Sequence, residues 1–224
     1  MTSDILKYAF TILAFVPALV LHEVAHGFVA MLLGDPTAKS SGRLSLNPLR
    51  HIDLFGTVIL PLALMIMNMP VIGYAKPVPY NPAYFKDKRK GDFLVGMAGP
   101  LANLLMALLG SAIMWSLYSI STNFATNQFS LYLYFYFLPE FIIINLCLMF
   151  FNLIPVPPLD GSSIIALFIP TRALPKWYSI QAYALPVLMI AIIVLPSLVN
   201  FDPISAYINF TAGNMCNFLI PGYA

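Results

Sequence analysis

The chain has 224 residues, 60% of them hydrophobic and 9% charged, with a mean hydropathy of +0.83 and a formal net charge of +2. Soluble globular domains are about 25% charged, so this composition excludes that class and indicates a polytopic membrane protein. The small positive charge gives no electrostatic basis for nucleic-acid binding. Cys147, in an apolar segment, and Cys216, near the end, suggest neither a disulfide framework nor a cysteine zinc site.

The N-terminal flank, with Asp4 and Lys7, has neither a basic region nor a small-residue cleavage site, so the first apolar stretch is expected to be a retained helix. Four stretches reach the roughly 20 residues needed to cross a hydrocarbon core, at about 5–33, 93–118, 132–153 and 180–199. They predict an all-α multi-pass membrane protein, one domain over 1–224, with no repeat and no room for a separate substrate-binding module. The stretch 57–72 is shorter, contains Pro61 and ends at Pro70. Lys39, Arg43 and Arg50 precede it, and Lys76, Lys86, Lys88, Arg89 and Lys90 follow it. The stretch 57–72 either spans or, if both flanks are cytoplasmic by the positive-inside rule, is re-entrant, covered by protein or lining a water-filled cavity. The 119–131 loop has no Lys or Arg and is expected outside, while Arg172 and Lys176 return to the cytoplasm. The tail 200–224, without a basic residue, is expected outside; its apolar part from Tyr207 to Ile220 either covers the bundle or meets a partner.

Within the first helix stands His22-Glu23-Val24-Ala25-His26. A carboxylate at bilayer depth is unfavourable by roughly 2.5 kcal/mol or more, so its presence asks for a function. Positions four apart share a helix face, which puts the two imidazoles side by side with Glu23 next to them. Two neutral imidazoles can fill two corners of a zinc tetrahedron, and the Glu can accept a proton from a water that the metal acidifies. The plainer alternative is polar glue between helices, with Glu23 as ion-pair partner of the histidines.

A catalytic zinc needs a third ligand, for which the sequence offers His51 and Asp160. His51 lies in a basic, interfacial stretch, where a surface or ligand-supporting histidine is the expectation. Asp160 follows Pro155, Pro157 and Pro158, which stop the preceding helix and hold the chain extended, so that Asp160-Gly161 can turn back into the bundle. Alternatively Asp160 caps a short helix near 161–169.

His22-Glu23-x-x-His26, Gly99-Pro100-Leu101-Ala102-Asn103 and Asn152-x-x-Pro155-x-Pro157-x-x-Asp160-Gly161 together resemble the site-2 protease family of intramembrane zinc metalloproteases. The stretches Gly42 to Leu49 and Gly73 to Pro79 resemble its compact, PDZ-less members, and the likeness runs from about 15 to 170. The resemblance implies one Zn²⁺ held by His22, His26 and Asp160, with Glu23 as general base. It also places Asn152 near the metal, where its amide would hydrogen-bond an oxyanion. Asn103 either belongs to that neighbourhood or simply joins two helices. One departure is that Pro158-Leu159 precede Asp160, where the family usually has Asn or a similar small residue and then Pro.

The implied substrate is a single-pass membrane protein, cut in or near its transmembrane helix during regulated intramembrane proteolysis. The expected setting is a prokaryotic cell membrane, and counting back through the basic flanks runs 5–33 from outside to inside, which puts His22 to His26 toward the cytoplasm. A helical substrate must unwind before attack, so Gly, Pro or Asn is expected near the cut. Gly73 to Pro79 would either pair with that unwound segment as an edge strand or form a surface turn. Lys86 to Lys90 would anchor to anionic headgroups, and Tyr132, Tyr134 and Tyr136 would form an interfacial belt or join a substrate gate. Two further classes fit the same residues. An ion or metal transporter could use His22, Glu23, His26 and Asp160 as its path, and a catalytically silent zinc-dependent assembly protein would tolerate loss of Glu23.

Overall fold

A computed structural model describes residues 2–66, 74–119 and 128–222, and every regular element among them is helical. In chain order the α-helices are α1 (Thr2–Leu32), α2 (Thr37–Ser40), α3 (Leu60–Ile66), α4 (Lys88–Ser119), α5 (Gln128–Tyr132), α6 (Leu138–Asn152), α7 (Ser162–Ala166), α8 (Leu174–Val199), α9 (Pro203–Ile208) and α10 (Asn214–Leu219). Among the described residues, three segments are long and apolar enough to cross a membrane: Tyr8–Leu32, Lys88–Tyr118 and Gln128–Asn152. The fourth expected span is two halves, Thr171–Gln181 and Tyr183–Val194, bent by 58°. Pro186 lies inside α8, and its ring crowds the carbonyl four residues back, at position 182, where the bend falls.

Helix α4 is the centre of the bundle, packed on α1 along one side and α6 along the other. In lipid there is no hydrophobic drive between helices, so close approach depends on small side chains and hydrogen bonds. Both are present. Ala14 and Ala18 of α1 and Ala107 of α4 are fully buried, and the Asn103 amide donates 2.9 Å to Asn145 Oδ1 of α6 and 3.2 Å to the Ala18 carbonyl of α1. One Asn103 side chain thus ties three helices at one level.

The C-terminal tail covers the bundle. Ala212, Cys216 and Ile220 are buried with Ala107, Met114, Ile142 and Leu146, and Ser111 of α4 donates 2.6 Å to the Leu219 carbonyl. Cys147 and Cys216 are both free thiols. Of the expected re-entrant stretch 57–72, the described part continues the π-type helix Leu54–Ile59 into α3; residues 67–73 lie outside the described residues, as do 120–127 of the expected external loop.

Two loops are clamped together beside α1. The guanidinium of Arg43 is buried and donates to the carbonyls of Arg50, Lys76 and Pro77, while Lys76 N donates 3.0 Å to the His51 carbonyl. This closure buries His51 to 2% exposure, with its Nε2 2.7 Å from the Ser45 carbonyl. The expectation of a surface position for His51 is therefore corrected: the 42–51 loop folds back onto 74–80 and encloses the ring.

Candidate metal centre

Helix α1 presents His22 and His26 from successive turns, with their Nε2 atoms 3.1 Å apart. The other ring nitrogen of each has a fixed acceptor on α4: His22 Nδ1 lies 2.6 Å from Asn103 Oδ1, and His26 Nδ1 lies 2.7 Å from the Val95 carbonyl. Both partners can only accept, so each neutral imidazole carries its proton on Nδ1 and turns an Nε2 lone pair inward. The close packing that allows this depends on Gly99, where a Cβ would overlap both imidazoles.

The third donor comes from the other end of the bundle. After α6 the chain runs through Pro155, Pro157 and Pro158, and Gly161 N closes the turn with a 2.6 Å bond to the Asn152 carbonyl. A Cβ at Gly161 would strike the Leu153 carbonyl, so glycine is needed where the loop folds against the helix end. The turn aims the Asp160 carboxylate back at α1: its Oδ2 is 3.1 Å from His22 Nε2 and 3.4 Å from His26 Nε2. The side chain is not a helix cap, since α7 begins at Ser162 without a side-chain cap bond.

These donors fit a small tetrahedral cation. Bonds of about 2.0–2.1 Å to nitrogen or oxygen imply ligand–ligand edges of about 3.3–3.4 Å, close to the three separations present. With both imidazole protons committed to Asn103 and Val95, no proton is left between the lone pairs, and Asp160 Oδ2 is buried without a hydrogen-bond donor. Among the described residues, His22, His26 and Asp160 are the group of His, Cys, Asp and Glu side chains that could hold a metal ion, and His51 is not in it.

Glu23 lies beside them, partly exposed, with Oε2 accepting a 2.9 Å bond from Val78 N. It lines a cavity of about 300 Å³ together with His22, His26, Asn152 and Asp160. Asn152 gives one amide hydrogen to the Leu148 carbonyl of its own helix, 3.0 Å away, and the residue borders the cavity. The 74–80 segment is irregular rather than a strand. With Val78 N–H given to Glu23 and no N–H on Pro77 or Pro79, it has little backbone to offer a pairing chain. Gly73 lies outside the described residues.

Asp92 and Tyr80, which no motif in the sequence singles out, line the same cavity, and the Tyr178 hydroxyl donates to Asp92. The available signal was Asp92 itself, an acidic residue one turn inside an apolar helix.

Comparison with known proteins agrees with this chemistry. YwhC of Bacillus subtilis (strain 168), provisionally named a zinc metalloprotease, is 34% identical over 185 residues, which cover 81% of this chain and 78% of YwhC. The chain belongs to the site-2 protease family. Proteins called Rip2, likewise provisionally named zinc metalloproteases, match more locally. The one from Mycolicibacterium smegmatis is 34% identical over 41% of this chain and 34% of its own length. The one from Mycobacterium tuberculosis is 28% identical over 69% of this chain and 55% of its own. No family model and no solved structure matches the chain. As a site-2 protease family member with three helices able to cross a membrane and a fourth bent pair, the chain is a membrane protein of a zinc metalloprotease kind.

Proposed function

We propose that this protein is an intramembrane zinc endopeptidase that hydrolyses a peptide bond in or near the transmembrane helix of a membrane-bound substrate, within regulated intramembrane proteolysis. The observation that carries the reading is the convergence of His22 Nε2, His26 Nε2 and Asp160 Oδ2 beside Glu23, on a helix apolar enough to span a membrane. The clustering of Lys and Arg around 39–50, 76–90 and 172–176 supports a cytoplasm-facing site.

His22, His26 and Asp160 would hold the ion, one per chain. A bound zinc supplies Lewis acidity, which polarises a carbonyl and acidifies water near neutral pH. Asn103 and the Val95 carbonyl keep the two imidazoles in the ligating tautomer. Glu23, steadied by Val78 N–H, takes the proton of the attacking water and returns it to the departing amide nitrogen. Asn152 keeps one amide hydrogen beyond its bond to Leu148, and that N–H is the donor assigned to the oxyanion. The partly polar cavity admits the water this chemistry consumes.

The test is metal-dependent cleavage in purified protein. A transmembrane peptide reconstituted with the enzyme is incubated with a zinc chelator, then with zinc restored, and products are located by mass spectrometry. Loss and recovery of a cut at or within the apolar segment are expected. Cleavage indifferent to chelation, at full depletion of bound zinc, would overturn the reading.

A further inference from the structure

The cavity beside the His22, His26 and Asp160 group carries a charge that the proposed chemistry does not use. Glu23, Asp92 and Asp160 line it, and its lining includes no Lys or Arg. A divalent ion on the two imidazoles and Asp160 would offset two of those charges and leave one. Asp92 is 3% exposed. One of its oxygens, Oδ2, accepts from the Tyr178 hydroxyl of α8, and the Tyr80 phenol also faces the carboxylate. The other oxygen, Oδ1, is buried with no hydrogen-bond partner. Two phenols bring donors without positive charge, and a buried carboxylate left short of partners is unfavourable unless a cation or a proton completes it. Burial, and then the Asp92 charge, hold the Tyr80 phenol above its ordinary value, so it remains a neutral donor.

The position of Asp92 along the helix adds a register. Asp92, Gly96, Gly99 and Asn103 fall at helical spacing on one stripe of α4 that faces the site. Gly99 marks the level of the imidazoles, and Asp92 lies seven residues nearer the start of the helix, about 10.5 Å at 1.5 Å per residue. An extended peptide covers that distance in about three residues. The direction is toward the basic run Lys86 to Lys90, the same flank where a spanning substrate concentrates its own Lys and Arg.

We propose that Asp92, with the hydroxyls of Tyr80 and Tyr178, forms a specificity subsite for a Lys or Arg side chain of the substrate, about two to four residues from the cut bond on its basic-flank side. The identity of the ligand rests on the protease reading. The substrate cation pairs with the Asp92 carboxylate at the cavity wall, and holding it there decides which backbone carbonyl reaches the metal centre.

A series of transmembrane peptides carrying one Lys moved through six positions on that flank, each with a Gln control, tests the subsite. Two readouts are taken: kcat/KM in the wild type, and the dissociation constant in Glu23→Gln protein, where nothing need be cleaved. The Lys:Gln ratio is expected to reach about tenfold or more at the middle positions, as for charge-assisted hydrogen bonds, and to fall toward one at the sixth. Asp92→Asn should bring the ratio to one everywhere, and Asp92→Lys should shift the preference to a Glu peptide. Each ratio is taken within one variant, so partial loss of folded enzyme does not imitate the effect. A flat scan in the wild type, or a Lys preference that survives Asp92→Asn, overturns the subsite; the flat scan decides even if Asp92→Asn does not fold. Absence of cleavage with a Lys-dependent dissociation constant would instead fault the protease reading alone.

Discussion

His22 Nδ1 and Asn103 Oδ1 lie 2.6 Å apart between two buried side chains, and the same Asn103 amide group donates to α1 and α6. The residue that joins three helices thus also decides which nitrogen of His22 is free to ligate. Helix packing and metal chemistry share one side chain. Asn103→Leu keeps the volume and removes the acceptor, so zinc affinity is expected to fall about 10- to 100-fold. Competition with a chelator of known affinity measures it, and an affinity within about twofold of wild type would refute the role.

Asp160 and His51 separate by their metal content. Asp160→Ala removes the third donor and should leave the purified protein with little zinc. His51→Ala should retain about one zinc per chain while melting earlier, since it deletes a buried ring bonded to Ser45, a change of about 1–3 kcal/mol. The opposite pattern of zinc loss would transfer the ligand to His51.

At Gly99 the helices leave no room for a methyl group against the imidazoles. Gly99→Ala is expected to destabilise the fold by about 1–3 kcal/mol through overpacking and to weaken zinc binding with it. Thermal unfolding in detergent and zinc per chain should both decline; a normal zinc content would show that the rings can move aside.

Much of this centre was legible in the chain. The i, i+4 spacing of His22 and His26, with Glu23 inside an apolar stretch, announces itself because lipid makes such residues unfavourable. Asp160 was less plain: it lies 134 residues beyond His26, and the sequence favoured it over His51 because Pro155, Pro157 and Pro158 could end the helix and let Asp160-Gly161 turn inward, as they do. The second role of Asn103 was hidden because an Asn in a membrane helix reads the same whether it binds a helix or a histidine. Burial of His51 depends on Arg43 clamping two distant loops, which no local pattern encodes. The bend of α8 was not expected of the 180–199 span, although Pro186 carried the signal, while the fold-back of α9 and α10 onto α4 and α6 was one of two open choices for an apolar tail.

Val78 supplies a backbone donor to Glu23, so its N–H can be removed without touching a side chain in the cavity chemistry. Val78→Pro should retain zinc yet lower kcat about 10- to 100-fold through loss of carboxylate orientation. Val78→Ala keeps the N–H and should lose much less. Equal rates for the two variants would show that Glu23 is oriented by something else.

The central claim is that Glu23 is the base of a zinc protease working inside a membrane. It is met most directly by Glu23→Gln protein reconstituted with a transmembrane peptide, with bound zinc and cleavage products measured in the same sample. The account predicts zinc at the wild-type level, since His22, His26 and Asp160 are untouched, and cleavage reduced below detection. Cleavage at the wild-type rate with zinc in place would contradict it.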